Sequence, residues 1–550
     1  MKWTEDKMAM VSAIVLILIS IFAYLLPSLW SSDQNLFQDI QNESTINAPF
    51  KTIEEYEMET SKTIKPKENF LLHILEMTKV KTQTWEINPL GAFQSKLNEA
   101  KLAKYQTLQD QVATQLDAAK LVEQSAQNLL FQDKEANKKA EEAIAKWQKG
   151  LKEAKKEKPK PVVGTFTLIA GFLIGFLLLG IIFSFVLRFS TEGTNKFFVG
   201  FTFVFLIAML AYVISSQAQL KDAGLGYALW SIALGIFIAN FLSLPEWVKP
   251  GLKHELFIKT GLVLLGAEIL FSKILAIGLP GIFVAWFVTP IVIVVTYWFG
   301  QNILKIGSKT LNITVSADMA VCGVSAAIAT AAACNAKKEE LTTAIGLSMI
   351  FTSIMMVIMP VFIKAVGMPE ILGGAWIGGT IDATGAVVAA GSFLGEKALS
   401  VAATIKMIQN ILIGVVAFFV AVYFTTKVDN QVGVKPSYSE IWKRFPKFIL
   451  GFVGVSILYS IMYTSFAQVA AEGLIENGSL SFTGHIREFL FCLAFVSIGL
   501  STDFKVLKSQ FSGGKPLILY VVGQLFNLGL TLLVAWLVFY KIFPNITANI

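Results

Sequence analysis

Three cysteines and three histidines in 550 residues are too few for a disulfide framework. Cys322, Cys334 and Cys492 fall in apolar stretches, and His73, His254 and His485 show no metal-ligand spacing. The chain also lacks G-x-x-x-x-G-K-[ST], any strand leading into G-x-G-x-x-G, and any Ser/His/Asp set suggested by position. It is therefore not expected to be an enzyme or an ATP-driven pump, and no resident cofactor or metal is expected. Charge is scarce as well, at 15% of residues.

What the chain has instead is apolar length. It is 54% hydrophobic, with mean hydropathy +0.61, and cannot dissolve in water as an ordinary globular domain. The expected fold is an all-α polytopic membrane protein with about 13 transmembrane helices. These are placed at 8–30, 162–188, 196–216, 224–243, 254–272, 279–300, 312–334, 342–364, 371–391, 398–424, 445–466, 484–502 and 515–541. The first is an uncleaved anchor, because Met8 to Leu26 is long for a signal segment and no A-x-A site follows.

The net charge of +7 does not point to nucleic acid. Residues 31–160 hold 20 Lys and 20 Asp plus Glu, so the excess lies among the spans and their loops. With the N-terminus inside, fourteen basic residues from Arg188 to Lys515 fall on the cytoplasmic side. Lys221, Lys273, Lys337, Lys338, Lys397 and Lys541 fall opposite. This puts residues 31–160 and the C-terminus outside the cytoplasm. Within that insert, apolar residues from Leu97 to Leu151 recur at helical spacing, which predicts one long helix or, better, a coiled-coil-like hairpin bent near Gln132 to Lys134. Residues 31–90 read as loosely structured, and 161–223 as two accessory spans.

The last ten spans divide into five plus five, 224–364 and 371–541. "LGYALWSIALGIFIAN" can be laid over "LGGAWIGGTIDATGAV", which sets Lys259 on Lys406, and "CGVSAAI" over "CLAFVSI". An odd number of spans per unit makes the repeat an inverted one, the arrangement of alternating-access carriers. Two discontinuous helices crossing at the midplane are expected in 312–334 and 484–502. Cys322, Gly323, Ser325, Ser497 and Gly499 would then bind substrate through exposed main chain, joined by Gly379, Thr380 and Thr384. The competing explanation for such small residues is close helix packing.

Four motifs resemble the YeiH-like family of bacterial membrane proteins, the sulfate exporters. They are "GLVLLGAEIL", "VCGVSAAIATAAACNAKKEELTTAIGLSMIFTSIMMVIMP", "GGTIDATGAVVAAGSFLGEKALSVAATIKM" and "AFVSIGLSTDF", within residues 224–541. That family is distantly similar to bile-acid/sodium symporters and cation/proton antiporters. The resemblance implies a multi-pass protein of the bacterial inner membrane and, by analogy, a homodimer. The chain departs from the family pattern at Asp382, Ala383 and Ala386, beyond Lys406 at Gln409 or Asn410, and in its long insert.

Asp382 is the central candidate for ion coupling, with Lys406, Lys259, Glu268 and Asp318 beside it. Charge inside a span is expensive and usually marks an ion path or a buried pair. The resulting expectation is a secondary carrier of a small anion, sulfate or a related sulfonate or carboxylate, coupled to H+ or Na+. The alternatives are a cation antiporter using Asp382 and Asp318, or a membrane scaffold acting through the insert.

Overall fold

The computed structural model describes residues 3–30, 48–61, 65–94, 99–158, 162–190, 196–222, 225–242, 244–269, 271–428, 442, 445–467, 470–505 and 514–548. Among them nine helices are long and apolar enough to cross a bilayer. They are Glu5–Tyr24, Thr165–Leu187, Phe197–Ser215, Ile274–Ile303, Lys338–Ala365, Glu396–Val428, Phe448–Ser465, Ala471–Ser501 and Lys515–Ile542. The four remaining predicted spans take other forms. Tyr227–Leu242 and His254–Glu268 are short helices, and the segments at 312–334 and 371–391 are each broken in two.

The chain forms two compact units, and the smaller comprises residues 18–175 and 461–482. Within it, Glu99–Asn128 and Lys134–Glu157 make a hairpin, tied at its open end by Lys104 and Glu157 at 2.7 Å. The turn is made by Leu130 and Phe131 at φ of 51° and 56°, followed by Asp133, whose carboxylate caps the second helix. The Ala136 and Glu135 N–H groups hold the Asp133 carboxyl below its ordinary range. The cap therefore contributes above that range and is lost as pH falls through it.

Residues 48–61 and 65–90 are more ordered than the sequence suggests. Ile53–Ser61 packs Ile53 and Tyr56 against Ala119, Ile144 and Trp147 of the hairpin. Phe70–Thr78 is held by Tyr24, whose hydroxyl donates to Glu76 Oε1 at 2.7 Å. These helices span only two or three turns, too few for a periodic signal to stand out. The predicted segment 31–47 lies outside the described residues.

The larger unit comprises residues 1–17, 176–460 and 483–550. Its close helix contacts are made at glycines. A methyl on Gly374 or Gly378 would lie 2.6 Å from the carbonyl oxygen of Ala398 or Ala402. Those glycines let Glu370–Thr380 lie directly on the Glu396–Val428 backbone.

The expected interruption at 484–502 is absent, and Ala471–Ser501 runs helically through it. Ser497 Oγ donates to Leu493 O at 2.8 Å, a bond within the helix. A methyl on Gly499 would lie 2.5 Å from Ile232 O, so that glycine lets two backbones touch. Gly499→Leu is accordingly expected to cost at least about 1–3 kcal/mol through overpacking. Tryptophan-monitored unfolding in detergent would detect this; unchanged stability would show that the contact is not needed.

Candidate functional site

Two segments break, and each turns back on itself. Lys309–Ala320 and Gly323–Cys334 are joined by Val321 and Cys322, with Gly323 at φ +44°, where a side chain is strained. Both ends of this hairpin lie together. Glu340 accepts from Ser308 Oγ and from Thr310 Oγ1 (2.8 Å), and Thr314 Oγ1 sits 3.9 Å from Cys334 Sγ.

The second hairpin is Glu370–Thr380 and Thr384–Leu394, joined by an extended stretch at Ile381 and Ala383 with Asp382 between them. Its ends also meet: a methyl on Gly373 would lie 3.1 Å from Leu394 Cδ1, and one on Gly395 3.0 Å from Glu370 Oε2. The 28-residue helix Lys338–Ala365 leads from the mouth of the first hairpin to that of the second, about 42 Å away at 1.5 Å per residue. The hairpins therefore enter from opposite ends of the bundle. Crossing helices were expected, and the reversal is the correction. It also moves Lys337 and Lys338 to the same end as Lys309, opposite to their predicted placement.

The tips meet. Cys322 Sγ lies 3.7 Å from Thr384 Oγ1, and a methyl on Gly323 would lie 3.4 Å from Asp382 Cβ. At the C-terminal ends of the first limbs, several of the freed carbonyls accept from side-chain donors. Ala320 O accepts from Thr289 Oγ1 (3.2 Å) and Gln409 Nε2 (3.0 Å), and Val321 O from Lys406 Nζ. Gly379 O accepts from Gln409 Nε2 (3.2 Å), and Thr380 O from Gln524 Nε2 (3.1 Å).

The N-terminal ends of the second limbs differ, because neither Cys322 nor Ala383 caps its helix with a side chain. This is also the more open side of the tips. Val324 and Ser325 are exposed, and Cys322, Thr384 and Gly385 are half-buried. Uncapped N–H groups and the positive dipole end suit an anion. Lys406 lies between the two sides, 1% exposed, with Nζ also donating to Gln409 Oε1 at 2.7 Å.

The other side of the tips is closed and acidic. Asp382, 1% exposed, accepts at Oδ2 from Tyr520 Oη and from Ser348 Oγ (3.4 Å). Asp318, wholly buried, faces Ser348, Asp382 and Lys406.

Of the residues singled out in the sequence, Cys322, Gly323, Ser325, Thr384, Asp382, Asp318 and Lys406 therefore come together. Gly379 packs against Thr531, and Thr380 Oγ1 bonds back to Trp376 O. Lys259 pairs with Glu255 (2.9 Å) and Asp6 (3.0 Å), and Glu268 with Arg487 (2.7 and 2.9 Å). Ser348 and Tyr520 carry no motif that would have singled them out. Gln409, marked in the sequence only as a departure from the family pattern beyond Lys406, stands three residues after it on the same helix face.

A methyl on Gly323 would lie 2.9 Å from Ser348 Oγ, and the left-handed backbone adds about 1–2 kcal/mol for alanine. Gly323→Ala should therefore lower the unfolding free energy by about 1–2 kcal/mol. Denaturant unfolding in detergent would read this, and wild-type stability would contradict it.

Geometry and composition thus define an all-helical polytopic membrane protein with two opposed re-entrant hairpins. The chain belongs to the conserved hypothetical protein 698 family, whose profile matches residues 199–520, and which includes the UPF0324 membrane proteins. A UPF0324 membrane protein of Nitratidesulfovibrio vulgaris is 54% identical over 76% of this chain and 73% of its own length. One of Rhodopirellula baltica is 54% identical over 69% and 70%, and one of Nitrosomonas europaea 31% identical over 60% and 75%. Residues 2–49 also match the N-terminal TM domain of oligopeptide transport permease C. No solved structure matches the chain.

Proposed function

We propose that the protein is a secondary carrier of a small anion, sulfate or a related sulfonate or carboxylate, working by alternating access. The observation that carries this reading is the meeting of two uncapped helix N-termini, from hairpins of opposite sense, beside the buried Lys406. Opposed units of hairpin plus helix, residues 309–365 and 370–428, give each end of the bundle an equivalent element that can open while its counterpart stays closed.

The buried carboxyls of Asp318 and Asp382 stand at the same tips as Lys406, and acidic groups at that position give the carrier a means of coupling to H+ or Na+.

The gathering of Lys309, Lys337 and Lys338 at the mouth of the first hairpin supports a cytoplasmic placement of that end, in a bacterial inner membrane. Uptake of labelled sulfate into reconstituted vesicles under imposed pH and sodium gradients tests the proposal. Saturable, gradient-driven anion uptake is expected. Sodium flux with no anion flux would favour a cation antiporter and overturn it.

A further inference from the structure

We infer that Asn410 is the specificity-determining residue of the anion site, and that the anion it selects carries an O–H or N–H donor close to its charged group. The inference rests on the carrier reading of the same site and goes further by naming the ligand's chemistry and the side chain that reads it.

Asn410 stands one turn beyond Lys406 on Glu396–Val428, so the two share a helix face. Lys406 reaches the first tip at Val321 O, and Asn410 reaches the second, where its Nδ2 donates to Thr384 Oγ1 at 3.1 Å. Thr384 opens the helix Thr384–Leu394, and the same Oγ1 lies 3.7 Å from the sulfur of Cys322, the residue before Gly323–Cys334. The amide is thereby held at the junction of the two uncapped N-termini.

Its other end is unused. Asn410 is 2% exposed, yet its Oδ1 has no hydrogen-bond partner among the described residues. A buried amide normally finds partners for both ends, and an acceptor left bare loses its hydration with nothing in return.

The rest of the junction offers donors: the N–H groups that begin both helices, and the hydroxyl hydrogen of Thr384, whose oxygen is the acceptor in its bond with Asn410. A ligand with lone pairs alone, such as sulfate, meets those donors and leaves Oδ1 bare. A ligand with a hydroxyl beside its sulfonate or carboxylate meets them and donates to Oδ1 as well. Turning the amide over would present Nδ2 to the ligand but spend the Thr384 hydroxyl hydrogen on Oδ1, so the anion would gain no donor.

A site that bonds a ligand O–H disfavours the analogue lacking it, because the protein's own polar group is then left unpaired. One such contact should separate matched ligands about tenfold. Sulfate then remains a substrate, at higher concentration.

Competition against labelled-sulfate uptake, in vesicles of the full-length protein, tests this with ligand pairs of equal size. The pairs are 2-hydroxyethanesulfonate against propanesulfonate, and glycolate against propionate. The hydroxylated member should half-inhibit uptake at a concentration about tenfold lower. In Asn410→Leu, which keeps the side-chain volume, the two members should come within about twofold of each other, whatever the variant's overall rate. Asn410→Ala reads the same loss where leucine does not fold. Equal inhibition by both members in the wild type, or a preference that survives loss of the amide, would overturn the inference and leave the carrier intact.

Ligand-dependent thermal shift of the wild type in detergent reads the same preference without transport. A preference found there, in protein whose vesicles move no anion, would overturn the carrier reading and keep Asn410 as the residue that selects the ligand.

Discussion

Lys406→Met is expected to abolish anion uptake and to lower the unfolding free energy by about 3–5 kcal/mol, the usual consequence of removing one member of a buried charge group. The side chain is 1% exposed, and its ammonium joins Val321 O at the first tip to Gln409, which in turn reaches Gly379 O at the end of the other hairpin's first limb. Methionine keeps the stem and its packing but leaves Val321 O unsatisfied. It also leaves two carboxylates with no ammonium beside them. Adding Asp382→Asn removes one negative charge, so the double variant should regain part of the stability and none of the uptake. Denaturant unfolding in detergent and vesicle uptake measure the two effects separately. Uptake at the wild-type rate in Lys406→Met would remove the ammonium from the binding site.

Arg487→Met should destabilise by a similar amount, about 3–5 kcal/mol, with a different functional outcome. Its guanidinium grips Glu268 at 2.7 and 2.9 Å and reaches Glu396 at 3.3 Å, at the end of the bundle where the second hairpin opens. The substitution leaves the Glu268 carboxylate facing a lost partner in a largely buried position. Uptake per folded molecule should be unchanged, because no atom of this pair approaches the tips. Glu268→Gln in the same chain should restore most of the lost stability. A loss of uptake that survives this restoration would assign Arg487 a part in transport.

The contrast between these lysine and arginine sites shows where sequence reasoning reached and where it stopped. The break at Cys322 and Gly323 was legible, because glycine beside small and hydroxylated residues in an apolar stretch signals an interrupted helix. The carboxylate of Asp382 was legible for the reason that charge in such a segment is expensive.

The reversal of each segment was not. Two 12-residue limbs, Lys309–Ala320 and Gly323–Cys334, add up to the apolar length of one ordinary span. Hydropathy therefore reads a hairpin as a crossing. What distinguishes them is the contact of Ser308 and Thr310 with Glu340, which sequence spacing does not predict.

The second break went to 484–502 instead of 381–383 because Ser497 and Gly499 have the right residue types. Gly499 serves backbone contact with Ile232 and Gly235, and Ser497 bonds within its own helix. Gly374 and Gly378 serve the same end around the true break, so glycine alone could not mark it. Ser348 and Tyr520 were invisible since an isolated serine or tyrosine in a span is ordinary until a carboxylate is found beside it.

The central claim is that two hairpins from opposite ends bring Cys322 and Thr384 together in one anion site open to each face in turn. Thiol labelling of Cys322 with a membrane-impermeant reagent tests it most directly, in vesicles of a Cys334→Ser, Cys492→Ser background, with reagent on either face and with or without sulfate. The account predicts labelling from both faces, slowed by the transported anion on each. Labelling from one face only, at a rate that no anion alters, would contradict it.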